Sequence, residues 1–199
     1  MTTRIDDLLD AAARVISREG VDALRMSDVA REAGVSTALV HYYVATRDDL
    51  LNGVFARTDA TTDALAAEAI AGLPTGAQRL EALLAVYLDD SSAFHETWVV
   101  SIEVWRAAMF NPSLREPARA SYEQWLELLA LELDAGKADG SIPPGVVTED
   151  AARTLAATLD GLGQQVMLGG LAHGYATALL RDAVAATLAS SPSGDRVGG

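Results

Sequence analysis

Met26-Ser27-Asp28-Val29-Ala30-Arg31-Glu32-Ala33-Gly34-Val35-Ser36-Thr37-Ala38-Leu39-Val40-His41-Tyr42-Tyr43 is the stretch on which the fold turns. Ala30 lies four residues before Gly34, and so small a side chain lets one helix approach the next closely. Gly34 supplies the tight turn between them, where a side chain would clash or need positive φ. Val35 and Val40 plug the angle between the helices. The spacing predicts a short helix over 28–33, capped by Ser27, and a second over about 37–44, capped by Ser36. This is helix-turn-helix grammar: the first helix crosses the DNA backbone and the second enters the major groove. An ordinary helical hairpin shares the Ala-xxx-Gly element, so the residues that follow decide between them. Thr37, Ala38, His41 and Tyr42 form the exposed side of the second helix, while Leu39, Val40 and Tyr43 face inward. No acidic residue lies between Gly34 and Arg47. The tyrosine hydroxyls and the histidine suit phosphates, and Thr37 or Ala38 suits a thymine methyl. Arg47 opens the next helix, whose first amides also favour a phosphate. The candidate DNA-binding set is Ser27, Ser36, Thr37, Ala38, His41, Tyr42, Tyr43 and Arg47.

Outward from this stretch the pattern is helical throughout. Ile5, Leu8, Leu9, Ala12, Val15 and Ile16 recur at three- and four-residue steps, one apolar stripe that Gly20 ends. Thr46 caps a fourth helix running to about Ala71. The segment 72–76 breaks the chain, and apolar helices follow near 77–88 and 92–109. Asn111-Pro112 breaks it again. Ser113 and Glu116 read as a capping box for a helix to about Lys137. After a loop through Pro143-Pro144, Thr148 caps a helix to about Leu168, and a last helix covers about 175–189. The expectation is an all-α chain of about nine helices. A three-helix helix-turn-helix domain spans 1–47, a helical ligand-binding and dimerisation domain 48–190, and a disordered tail 191–199.

The chain has 199 residues, 50% hydrophobic and 22% charged, which is a globular composition. Absence of cysteine excludes disulfides and thiolate metal sites and fits a reducing cytoplasm. The net charge of −13 argues against nonspecific nucleic-acid binding. That charge is uneven: residues 1–57 hold 7 Arg against 9 Asp/Glu, and residues 58–199 hold 8 Lys/Arg against 19 Asp/Glu. The head, at −2, leaves room for a local basic face. Residues 161–180 carry no formal charge, but five glycines, two glutamines and a histidine argue against a membrane span. The segment suits a subunit interface, because obligate interfaces are depleted of charge. Gly161 and Gly163 permit close helix approach, and Val166, Met167, Leu179, Val184 and Leu188 supply apolar area.

The segment Met26–Ser36, with Leu39-Val40-His41-Tyr42-Tyr43 and Thr46-Arg47-Asp48-Asp49-Leu50, resembles the amino-terminal domain of TetR-family transcriptional regulators. Two departures are Val44, where the family often has Phe, and Arg47, where it often has Lys. The later half resembles the subgroup named for the choline–betaine regulator BetI, through Glu103-Val104-Trp105, Asn111-Pro112, Tyr122-Glu123-Gln124-Trp125, Gly136, Gly140-Ser141-Ile142-Pro143 and Leu159-Asp160-Gly161-Leu162. The resemblance implies a homodimer that binds palindromic operator DNA, usually as a repressor. It also implies a small-molecule effector that releases the operator, and pairing of the last two helices in a four-helix bundle.

Trp98, Trp105 and Trp125 fall within 28 residues, 98 to 125. With Phe94, Ile102, Phe110 and Tyr122 they form either an aromatic core or an aromatic-walled pocket. Glu96, Glu103 and Asp160 are the acids expected there, which would favour a cationic or aromatic effector. No catalytic or metal-binding pattern is present, and no cofactor is implied. The rival reading is an all-helical protein-interaction module without operator binding.

Overall fold

The computed structural model describes residues 4–88 and 92–189, with only the backbone placed at 92–95. Among them are nine helices and no strand: α1 (Arg4–Glu19), α2 (Met26–Glu32), α3 (Thr37–Tyr43), α4 (Arg47–Ile70), α5 (Gly76–Val86), α6 (Ser92–Ala108), α7 (Pro112–Asp139), α8 (Thr148–Met167) and α9 (His173–Ala189). The expected tail, 191–199, lies outside the described residues. No described helix is long and apolar enough to cross a membrane.

The chain packs as two compact units, residues 1–65 with 91–122, and residues 66–90 with 123–199. The first unit holds α1 to α3, much of α4, α6 and the start of α7. Its core is the apolar face of α1 (Leu8, Ala11, Ala12, Val15, Ile16) against Val29, Ala30 and Val40 of α2 and α3, Leu50, Leu51, Val54 and Phe55 of α4, and Val100 and Val104 of α6. Ile5, at the outer end of the α1 stripe, remains exposed. Ionic ties reinforce the packing. Arg14 and Arg18 both bond Glu32, at 2.8 and 2.7 Å, and hold its carboxyl down at about 2. Arg57 of α4 donates to Asp10 of α1 at 2.8 Å.

In the second unit α9 packs on α8 and α5. Here α5 crosses α7 at two glycines: a Cβ on Gly76 would lie 2.2 Å from the backbone nitrogen of Gly136. The first amides of α5 are satisfied by side chains from the end of α7. Asp139 accepts from the Gly76 N–H at 2.8 Å and Ser141 from the Ala77 N–H at 3.1 Å. Beside this crossing, Glu132 is only 5% exposed and is paired with Arg79, which also donates to the Leu73 carbonyl.

The helix starts correct several expected caps. Ser36 caps α3 as expected, accepting from the Leu39 N–H at 3.2 Å. At α4, Thr46 and Asp49 cap reciprocally, at 3.0 and 3.1 Å. Ser27, however, is not the cap, because α2 begins two residues earlier than expected, with Arg25 in the cap position. At α7 the cap is Asn111, whose side-chain oxygen accepts from the Ser113 N–H at 3.0 Å. Pro112 then takes the first helical position, where no N–H is needed. Glu116 turns to Arg119 at 2.6 Å instead of closing a box. Thr148 is the first residue of α8 and bonds Asp134 and Lys137.

Candidate nucleic-acid interface and effector cleft

The turn between α2 and α3 has the expected geometry. Gly34 sits at φ +67°, the left-handed region, and no atom lies within 4 Å of where its Cβ would be. Glycine is thus required by conformation and not by crowding. The Val35 N–H returns to the Ala30 carbonyl at 2.9 Å, closing the turn over the small side chain of Ala30. Val40 is fully buried under α3 and Val35 packs against the same core. Thr37, Ala38, His41 and Tyr42 are all exposed, Tyr42 at 80%, with the Tyr43 ring edge-on to it at 5.1 Å. Tyr43, expected to face inward, is also exposed. Ser27 and Ser36 are exposed as well. Arg25, which the sequence reading passed over, is exposed at the start of α2 and has no acidic partner among the described residues.

Arg47 is engaged elsewhere. Its guanidinium donates to the carbonyls of Val21 and, at 3.4 Å, Leu24 in the α1–α2 turn. A neighbouring link ties the same turn to α6. Gly20 ends α1 at φ +79°, and the next amide, Val21 N–H, donates to Glu103 at 2.7 Å. The Glu103 carboxylate lies 3.2 Å from where a Gly20 Cβ would sit. It also meets Arg106 at 3.4 Å, and Arg106 in turn reaches Asp22 at 2.7 Å. A third link joins α4 to the α6–α7 corner: Asp48 accepts from Asn111 at 3.1 Å and from Ser113 at 2.7 Å. The bonds from Ser113 and Asn111 hold the Asp48 carboxyl below its ordinary range.

The expected effector residues divide. Trp98, Trp105 and Tyr122 form one edge-to-face chain, with ring centroids 6.2 and 5.8 Å apart. Trp125 lies in the second unit, tilted against Tyr87 at 4.3 Å. Phe110 is 82% exposed at the α6–α7 corner. Ile102 and Asp160 are half-buried, and the Phe94 side chain lies outside the described residues. One oxygen of Glu103, Oε2, is engaged by the Val21 N–H and by Arg106. The carboxyl that burial does perturb is Asp59 of α4. Desolvation pushes it up to about 6, with Asp63 adding to the rise and a hydrogen bond from Ser121 opposing it. The sequence reading missed it, since a lone Asp in a polar stretch of helix carries no local signal.

A cleft of about 410 Å³ opens between the end of α6 (Trp105, Ala108, Met109) and the start of α7 (Arg115, Ala118, Arg119, Tyr122). The Trp105 indole N–H is buried and has no hydrogen-bond acceptor among the described residues. Arg115 donates to the Met109 carbonyl at 3.3 Å and has no carboxylate partner among the described residues. No group of residues in the described part suits a metal ion.

Of the expected interface residues, Gly161 is exposed, Gly163 is buried, and Val166, Met167, Leu179, Val184 and Leu188 are half-buried. Exposed positions also include Thr154, Ala157, Gly161 and Gln164 of α8 with Leu168 at its end, and Tyr175, Ala178, Asp182, Ala185 and Ala189 of α9; Glu149, Arg153, Gln165, Gly174, Arg181 and Ala186 are exposed beside them. The first two series run at alternating three- and four-residue steps, so each lies along one strip of its helix.

Comparison with known proteins agrees with this architecture. Residues 8–54 match the model of bacterial regulatory proteins of the tetR family, and residues 74–189 match that of the BetI-type transcriptional repressor, C-terminal. The HTH-type transcriptional regulator BetI of Agrobacterium fabrum is 33% identical over 196 residues, 95% of this chain and 90% of that protein. BetI of Burkholderia thailandensis is 31% identical over 169 residues, covering 82% of this chain and 81% of its own. Among solved structures, a TetR-family regulator from Rhodococcus sp. superposes with TM-score 0.85 at 25% identity, over 95% of this chain and all of its own. A transcriptional regulator from Saccharomonospora viridis in complex with choline gives 0.81 at 26%, over 88% and 92%.

Proposed function

This chain belongs to the TetR family of transcriptional regulators, with a carboxy-terminal domain of the BetI repressor type, and we propose that it represses transcription as a homodimer on a palindromic operator that a small effector makes it release. The observation that carries this reading is the face of α3: Thr37, Ala38, His41 and Tyr42 are exposed together, without an acid among them, beside a correctly closed Gly34 turn. Thr37, Ala38 and His41 read base edges. Ser27, Ser36, Tyr42 and Tyr43 hold phosphates, with Arg25 as a further phosphate contact. Arg47 acts first as a strut beneath the α1–α2 turn.

Two heads must be held at a fixed spacing to engage two half-sites. The exposed stripes of α8 and α9 support self-association. They present small residues where a partner helix would approach, open space at the missing Cβ of Gly161, and two large apolar side chains, Leu168 at 84% and Tyr175 at 59% exposure. Operator release requires an effector that binds the DNA-incompetent spacing more tightly than the competent one.

Selection from a random duplex library, followed by anisotropy titration at two salt concentrations, tests the reading. An inverted repeat should be recovered, and Tyr42→Ala should weaken binding to all sequences while flattening the salt dependence. His41→Ala should change the preferred half-site. Gly161→Arg with Ala185→Arg should give a monomer by light scattering and lose the operator. Recovery of no preferred sequence would favour an interaction module instead.

A further inference from the structure

We propose that the cleft between α6 and α7 binds an aryl carboxylate, a flat apolar ring bearing one anionic group. This deepens the effector reading above and rests on it for its regulatory consequence, though not for the binding itself. The walls of the cleft are aromatic, Trp105 and Tyr122 standing edge-to-face at 5.8 Å, with Ala108 and Ala118 leaving room for a planar guest. Aromatic rings favour edge-on or offset contact with a further ring, so the walls select a flat apolar body.

The charge of the cleft has the sign opposite to that of the chain. No carboxylate lines it, while two guanidinium groups do. Arg119 is held by Glu116, at 2.6 and 3.1 Å, so that pair is nearly neutral. Arg115 has only the Met109 carbonyl, which leaves it one uncompensated positive charge at the rim. A cation is repelled by that guanidinium, and a carboxylate pairs with it. Met109, 69% exposed on the cleft edge, is an adaptable apolar flap for the ring.

The position of the cleft gives the guest leverage. The residues at its α6 end are two positions beyond Glu103 and flank Arg106, which hold the α1–α2 turn. Its α7 end begins two residues after Ser113, which with Asn111 holds Asp48 at the start of α4. A ring inserted between Trp105 and Tyr122 spreads the corner that carries both ties.

Isothermal calorimetry on the full chain with 2-naphthoate, neutral 2-naphthamide and choline tests this. The carboxylate should bind at least about tenfold more tightly than the amide, the size expected of one charge-assisted hydrogen bond. Choline should not displace it. Arg115→Gln should bring naphthoate down to the affinity of the amide. A thermal melt of the variant reports its folding. Equal affinity for naphthoate and its amide, unchanged naphthoate binding by Arg115→Gln, or displacement by choline would each overturn the proposal. Operator binding by the unliganded chain is measured separately, so failure of the ligand leaves the regulator reading to its own test.

Discussion

Replacing Asp59 by asparagine should stabilise the protein, and by an amount that depends on pH. Burial raises this carboxyl from 3.8 to about 6. The folded state therefore holds the proton more tightly than the unfolded chain. Its contribution to stability is fully present below about pH 4 and is lost as pH rises through 6. A shift of roughly two units, at about 1.4 kcal/mol each, sets a ceiling near ~3 kcal/mol. Because the side chain keeps some contact with solvent, about 1–3 kcal/mol is the expected size at about pH 7.5. Asparagine has nearly the same shape, and its oxygen still accepts from Ser121. Urea unfolding of both proteins at a series of pH values between about 4 and 7.5 measures the difference. Glu32, whose carboxyl is held at about 2 by Arg18 and Arg14, titrates in the opposite sense at lower pH, losing its contribution as pH falls. It is common to both proteins and cancels. The difference should be near zero at the acid end of the series and grow in favour of the Asp59→Asn variant towards the alkaline end. A difference that does not vary with pH, or a variant less stable than the parent at the alkaline end, refutes the burial argument.

Three further outcomes are expected. Arg79→Ala should cost about 3–5 kcal/mol in chemical denaturation, because it strands the buried Glu132 carboxylate; Arg79→Ala with Glu132→Leu should recover much of that loss. Gly34→Ala should cost about 1–2 kcal/mol and reduce operator affinity, since the penalty at φ +67° is conformational and no neighbour needs to move; Gly34→Asn should cost less in the same melts. Glu103→Leu should destabilise by about 1–3 kcal/mol by leaving the Val21 N–H unpaired, and amide exchange at Val21 should quicken in that variant while Glu103→Gln retains protection.

The head is readable because its determinants are local. A left-handed glycine, a small residue four positions earlier and a capping serine act within one or two helical turns, so the spacing of letters is the spacing of atoms. Ser36 and the Thr46 cap follow from that, and the error at Ser27 is a slip of two residues at a helix start, where the Arg25 carbonyl accepts the first bonds. The same locality explains the α8 and α9 register. Apolar Val184 and Leu188 of α9 are half-buried. The face left outward is marked instead by small residues at Gly161, Ala178 and Ala185. The aromatic segment misleads for the opposite reason. Glu103 stands five residues after Trp98, a spacing that fits a carboxylate in an aromatic box equally well. What decides its direction is an amide 82 residues away, freed where Gly20 ends α1. Three tryptophans close in sequence likewise divide, because Trp125 lies far enough along α7 to meet Tyr87. Helix periodicity says which residues share a face; it does not say which long-range donor that face meets. A carboxylate near aromatic residues is therefore evidence for a cation site only once its hydrogen-bond partners are known. At Glu103 those partners are the Val21 N–H of the α1–α2 turn and Arg106 of its own helix, and the effector site proposed above turns instead on Arg115.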